Sequence, residues 1–250
     1  MNDEIHAGKV RRFGPALAVA LDVTTLAEAE AIVTRLPAGE VMFKVGKQLF
    51  VAQGPAAVSM IRGHGGSALL DLKFFDIPHT VERAVAEATR LGVWGMTLHA
   101  LGGGRMLAAA RKAADAAAAE LGIPAPVLFA VTIPTSMDAA TLKEIGITTP
   151  LEVSVLHLAD LALKAGADGI VASPLEAAVL RKALGNDFLI MTPGIRTSPQ
   201  PDDDQKRVAT PLEAVSAGAD LLVMGRSILR TPDPAAAVRE VLAQLGNSMS

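Results

Sequence analysis

Eight times along this chain a short apolar run gives way to a longer, Ala-rich stretch, and that alternation limits the fold more than any other feature. The runs are Pro15 to Leu21 (followed by Asp22), Val41 to Val45, Ala68 to Leu72, Trp94 to Leu98, Val127 to Val131, Gly169 to Val171, Phe188 to Met191 and Leu221 to Met224. Each is short enough for a strand. The stretches between them predict helices over Leu26 to Arg35, Gly54 to Arg62, Val81 to Leu91, Gly104 to Leu121, Leu151 to Lys164, Leu175 to Leu184, Pro211 to Ala217 and Ala235 to Leu245.

Eight β-α units without a long linker point to an α/β chain folded as a single (β/α)8 TIM barrel, its active site at the C-terminal ends of the strands. The 250 residues match that size. The competing architecture is an open, doubly wound sheet. Its usual G-x-G-x-x-G turn does not follow the first run, which reads on as LDVTTLAEAE. The predicted barrel domain covers 14–250, with residues 1–13 as a flexible arm. A repeated AGAD, at Ala165 to Asp168 and Ala217 to Asp220, marks a helix-to-strand turn and reads as architecture.

Composition narrows the chemistry. Lys and Arg total 23 against 26 acids, so no basic field invites nucleic acid. Cysteine is absent, which removes disulfides, thiolate nucleophiles and Cys-type metal sites. The five histidines lack metal-ligand spacing. No apolar run reaches the ~18 residues expected of a membrane span, and the first residues carry no apolar signal core. The expectation is a cytoplasmic protein without a membrane partner.

Charged residues recur where the strands end. Asp22 follows the first, Lys44 lies near the end of the second, Asp71 and Lys73 end the third, Arg196 follows the seventh and Arg226 the eighth. In a regular strand residues i and i+2 share a face, so Asp71 and Lys73 are expected to face the mouth together. A single Asp-x-Lys is more often a structural ion pair; its company at the other strand ends favours a site. Asp76 opens the turn Asp76-Ile77-Pro78-His79-Thr80. Thr192-Pro193-Gly194-Ile195-Arg196 and Gly225-Arg226-Ser227 follow the seventh and eighth strands, where this fold often binds phosphate, and the latter is read as opening the last helix. The polar stretch 197–207 between them is expected to act as a lid. His99 is expected to be structural or supporting, Trp94 and Met96 to be core, and Lys47 to add local charge or be solvated. Thr132 and Thr135 follow the fifth strand, one to bind ligand and the other to cap a turn.

These motifs together resemble a family. DLKFFDIPHTV at 71–81 is similar to the D-x-K-x-x-D-I-P-x-T signature of the orotidine 5′-phosphate decarboxylases. The resemblance, to the shorter bacterial type, continues through ALDV at 20–23, FKVG at 43–46, VTIPTS at 131–136, TPGIR at 192–196, DDQKRVATP at 203–211 and MGRSI at 224–228. Phe75 and His79 depart from the commonest form, which has His and Asn there, and neither carries the implied chemistry.

The resemblance implies conversion of orotidine 5′-phosphate to UMP and CO2 without a metal or organic cofactor. It implies that Lys73 donates a proton to C6 within a charged network of Lys44, Asp71 and Asp76. Asp22 and Lys44 would hold the ribose hydroxyls and Thr135 the pyrimidine. Gln205, Gly225 and Arg226 would bind phosphate, with Arg196 and Pro193 nearby. Asp76, Ile77 and Thr80 would reach into the neighbouring subunit of a homodimer. Two rivals remain open: a Mg²⁺-dependent sugar-phosphate enzyme on the same barrel, and a non-catalytic nucleotide binder.

Overall fold

The computed structural model describes residues 16–196 and 209–247. Eight strands, β1 (Ala16–Ala20), β2 (Val41–Gly46), β3 (Ser67–Phe74), β4 (Gly95–His99), β5 (Val127–Val131), β6 (Gly169–Val171), β7 (Leu189–Thr192) and β8 (Leu221–Met224), close into a barrel in chain order. All neighbours are parallel, including the closing pair β8 and β1. The barrel is the expected architecture, and the open sheet is excluded by that closure. The predicted arm at 1–13 and the predicted lid at 197–207 lie outside the described residues.

The helices are α1 (Leu26–Val33), α2 (Lys47–Gln53), α3 (Ala56–Gly63), α4 (Pro78–Arg90), α5 (Gly103–Leu121), α6 (Ala139–Glu144), α7 (Leu151–Lys164), α8 (Pro174–Leu184), α9 (Pro211–Ser216), α10 (Arg226–Leu229) and α11 (Pro234–Asn247). Three of them, α2, α6 and α10, have no counterpart in the sequence reading. They run four to seven residues, too short to display a helical period. One expectation is corrected here: Gly225-Arg226-Ser227 opens the four-residue α10, whereas the last helix starts at Pro234. Starts follow local chemistry. Thr25 and Glu28 form a capping box on α1, as do Thr210 and Glu213 on α9, and at the start of α8 the Glu176 carboxylate accepts the Ser173 N–H at 2.7 Å. Pro78 occupies the first turn of α4, where its missing N–H costs nothing.

Strand alternation divides the core in two. Leu17 and Val19 face the helices, while Ala18 and Ala20 face the barrel interior. Met42, Leu69, Phe129, Leu189 and Leu221 join the interior, with Trp94 packed against them and Phe129 fully buried. The outer layer includes Phe43, Leu49, Ile61 and Met96 at zero exposure, each contributing about 1.5–3 kcal/mol of burial. Following the inward-facing row upward, Ala20 gives way to Asp22, Met42 to Lys44, and Leu69 to Asp71. The polar mouth therefore stands directly on an apolar plug.

The two AGAD segments are matching struts. Asp168 Oδ2 accepts the Leu128 N–H at 2.9 Å and an Arg111 Nη1–H from α5 at 2.9 Å. Asp220 Oδ2 accepts the Ile190 N–H at 2.6 Å and pairs with Arg181 from α8. Each aspartate thus ties the start of its own strand to the preceding strand and to a helix. The preceding glycines make room: Gly166 and Gly218 have φ of 95° and 101°, and an added Cβ would meet the Arg111 or Arg181 stem at 2.9 or 2.7 Å.

Candidate active site at the barrel mouth

Asp71 is the centre of the charged cluster. Its Oδ1 accepts a hydrogen bond from Lys73 Nζ at 2.7 Å, and its Oδ2 lies 3.5 Å from Lys44 Nζ. Lys44 Nζ also lies 3.6 Å from Asp22 Oδ1. The order Asp22–Lys44–Asp71–Lys73 crosses β1, β2 and β3 with alternating sign. Burial pushes the Asp71 carboxyl up, but Lys44, Lys73 and the hydrogen bonds from Lys73 and Thr97 outweigh it and hold it below the ordinary aspartate value.

The local backbone departs from the regular strand that the sequence suggests. Leu70 pairs with Met96, yet the next registered pair is Phe74 with Leu98. Four steps on β3 therefore span two on β4, and Asp71, Leu72 and Lys73 bulge from the ladder. Lys73 takes the slack with φ of 53°, the sole positive-φ non-glycine among the described residues. A left-handed side-chain-bearing residue costs about 1–3 kcal/mol and persists only where its surroundings impose it. Asp71 and Lys73 do meet, but through this bulge and a salt bridge, and not through simple i, i+2 geometry.

These residues line a cavity of about 360 Å³ above the barrel plug. One side is charged, with Asp22, Lys44, Asp71 and Lys73; Val131, Ile133, Val171, Met191 and Val223 form an apolar wall. Thr135 lines it from the segment after β5, while Thr132 is fully buried, its hydroxyl 3.4 Å from the Val171 carbonyl. Pro193, Arg196, Gly225 and Arg226 close the β7–β8 side. An added Cβ at Gly225 would lie 3.4 Å from Asp22 Oδ2, so its bare backbone keeps that corner open. Arg196 is 9% exposed and donates from Nη1 to its neighbour Ile195's carbonyl at 3.0 Å, which aims a buried guanidinium along the cavity edge.

Asp76, Ile77 and Thr80 stand apart from this group. All three are exposed and none lines the cavity, although Asp76 Oδ1 accepts the Ile77 N–H at 2.6 Å. Gln205 lies outside the described residues. Lys47 is exposed at the start of α2. His99 is half-buried, its ring 5.6 Å from that of Phe75. Burial, Lys73 and Lys47 hold its pKa below the ordinary histidine value. One residue near the cluster escaped sequence reasoning altogether: Thr97, completely buried on β4, whose hydroxyl contacts both Lys73 and Asp71. A lone Thr in an apolar run carries no signal of that contact.

The sequence pattern of the orotidine 5′-phosphate decarboxylase / HUMPS family matches residues 15–241. The chain belongs to this family. A Pelobacter propionicus protein named orotidine 5′-phosphate decarboxylase is 50% identical over 226 residues, covering 90% of this chain and 93% of its own length. One of the same name from Geobacter sulfurreducens is 54% identical over 204 residues, covering 82% and 84%. The crystal structure of orotidine 5′-phosphate decarboxylase from Lactobacillus acidophilus superposes with a TM-score of 0.82 at 34% identity, covering 93% of this chain and 99% of that one. Among the described residues no helix is long and apolar enough to cross a membrane.

Proposed function

We propose that this family member decarboxylates orotidine 5′-phosphate to UMP and CO2, the last step of de novo pyrimidine nucleotide synthesis, in the cytoplasm and without a cofactor. The observation that carries the reading is the Lys73 ammonium, held in the mouth by Asp71 with Lys44 behind it. When the bond from C6 to the carboxylate breaks, its electron pair stays on C6 and CO2 departs. A fixed ammonium stabilises that developing charge without reorganising, then gives C6 a proton from Nζ. Asp71 holds the ammonium; Asp22 and Lys44 take the ribose hydroxyls, and Thr135 the pyrimidine. Pro193, Arg196, Gln205, Gly225 and Arg226 receive the phosphate, where a forked guanidinium suits its oxygens. Residues 14–250 act as the catalytic domain.

Asp76, Ile77 and Thr80 belong, in this reading, to the site of a second copy. Phe75 and Ile77, 58% and 65% exposed, stand beside that turn as an apolar surface suited to burial in a homodimer. The test of the reaction is the decay of the orotate ultraviolet chromophore when the purified protein meets orotidine 5′-phosphate in EDTA. Rapid loss with UMP as product is expected. A folded protein that leaves the chromophore intact would overturn the reading and turn attention to Mg²⁺-dependent sugar-phosphate chemistry.

A further inference from the structure

Lys73 is held at both ends by groups that converge on one hydroxyl. Its ammonium donates to Asp71 Oδ1 at 2.7 Å. Its backbone N–H donates to Thr97 Oγ1 at 2.9 Å, and that same hydroxyl donates to Asp71 Oδ1 at 2.9 Å. The Thr97 side chain comes from the neighbouring strand, is completely buried, and enters where the β3–β4 ladder is interrupted. At that interruption the Lys73 N–H has no regular strand partner, and the backbone takes φ of 53°.

We propose that Thr97 is a positioning residue for the reaction, its single hydroxyl fixing the left-handed backbone of Lys73 and the carboxylate that aims the Lys73 ammonium. A threonine hydroxyl has one proton to give and lone pairs to receive, and here both functions are used on the same triad. Without it, the bulge loses the bond that replaces its ladder partner, and Asp71 Oδ1 keeps only the mobile ammonium. The ammonium then samples positions away from C6. Misplacement of a reacting group by about 1 Å costs on the order of 10²-fold in rate. Thr97 touches neither substrate nor the reacting atoms in this scheme, so binding is expected to survive its loss.

This inference rests on the proposed decarboxylation, and the experiment separates the two. Wild type, Thr97→Val, Thr97→Ala and Thr97→Ser are compared for kcat, KM and UMP affinity, with thermal unfolding to establish the folded fraction. Val removes the hydroxyl at constant shape; Ala removes it without a methyl beside the carboxylate and serves if Val does not fold. Both are expected to lose about 10- to 100-fold in kcat per folded site, with KM and UMP affinity within about threefold, while Ser restores most of the rate. A merely structural threonine would lower unfolding temperature and leave kcat per folded site unchanged in Val or Ala, which would overturn the proposal. Equal losses in kcat for Ser and Val would overturn it as well. Absence of UMP formation by the wild type would remove the decarboxylase reading and this inference with it.

Discussion

Lys73 combines two demands that usually conflict: a charged side chain in a specific place and a backbone conformation suited to glycine. Its φ of 53° identifies strain that can be measured separately from its chemistry. Lys73→Ala and Lys73→Gly both remove the ammonium, so both are expected to lose nearly all turnover. Glycine, unlike alanine, relaxes the left-handed position, and the Gly variant is expected to exceed the Ala variant by roughly 1–2 kcal/mol in urea unfolding. Equal stabilities would show that no strain is held there, and an Ala variant with a tenth of wild-type activity would rule out Lys73 as the central acid. Asp71 gives a pH test. Its folded-state pKa lies below the ordinary value, so its ionised form stabilises the fold above the unfolded-state pKa of about 3.9. That contribution disappears as pH falls through the folded value. Urea midpoints followed into acid are expected to fall more steeply for wild type than for Asp71→Asn; parallel curves would deny Asp71 that net role.

At the scale of elements, the struts under β6 and β8 explain why AGAD occurs twice. Each places an aspartate against the preceding strand's N–H and an arginine from an outer helix. Asp168 is 3% exposed, so Asp168→Ala leaves Arg111 and the Leu128 N–H with a lost partner beneath the barrel. A cost of about 3–5 kcal/mol is expected, with little change in kcat at the distant mouth. Urea unfolding measures the first and kcat of the folded fraction the second; a loss under 1 kcal/mol would mean the strut is dispensable. The eight strands and the longer helices were legible because apolar period and flanking Gly or Pro are local properties. The short helices α2, α6 and α10 were not, since one or two turns contain too few residues to show a period.

For the whole molecule, the decisive question is where Asp76, Ile77 and Thr80 act. They are exposed and away from the cavity of their own barrel. Composite sites across a homodimer make a sharp prediction. Lys73→Ala and Asp76→Ala are each expected to be nearly inactive alone. When mixed and allowed to exchange subunits, half the dimers would be mixed and each would carry one intact site, restoring about a quarter of wild-type activity. No recovery despite demonstrated exchange would place both groups in one subunit's site, and an Asp76→Ala variant active on its own would deny Asp76 a role.

What this sequence determined by itself was the succession of β-α units and the residue types at the strand ends, because strand and helix periods are written in near neighbours. Asp22, Lys44, Asp71, Lys73, Arg196 and Arg226 were all legible on that ground, and each lies at the mouth. Only the tertiary structure decided how Lys73 is presented. The broken β3–β4 register, the positive φ and the Thr97 hydroxyl arise from contacts between residues 24 and 26 positions apart. Such contacts leave no local period; they exist only because barrel closure brings the two strands side by side, where an N–H removed from its ladder must find another acceptor.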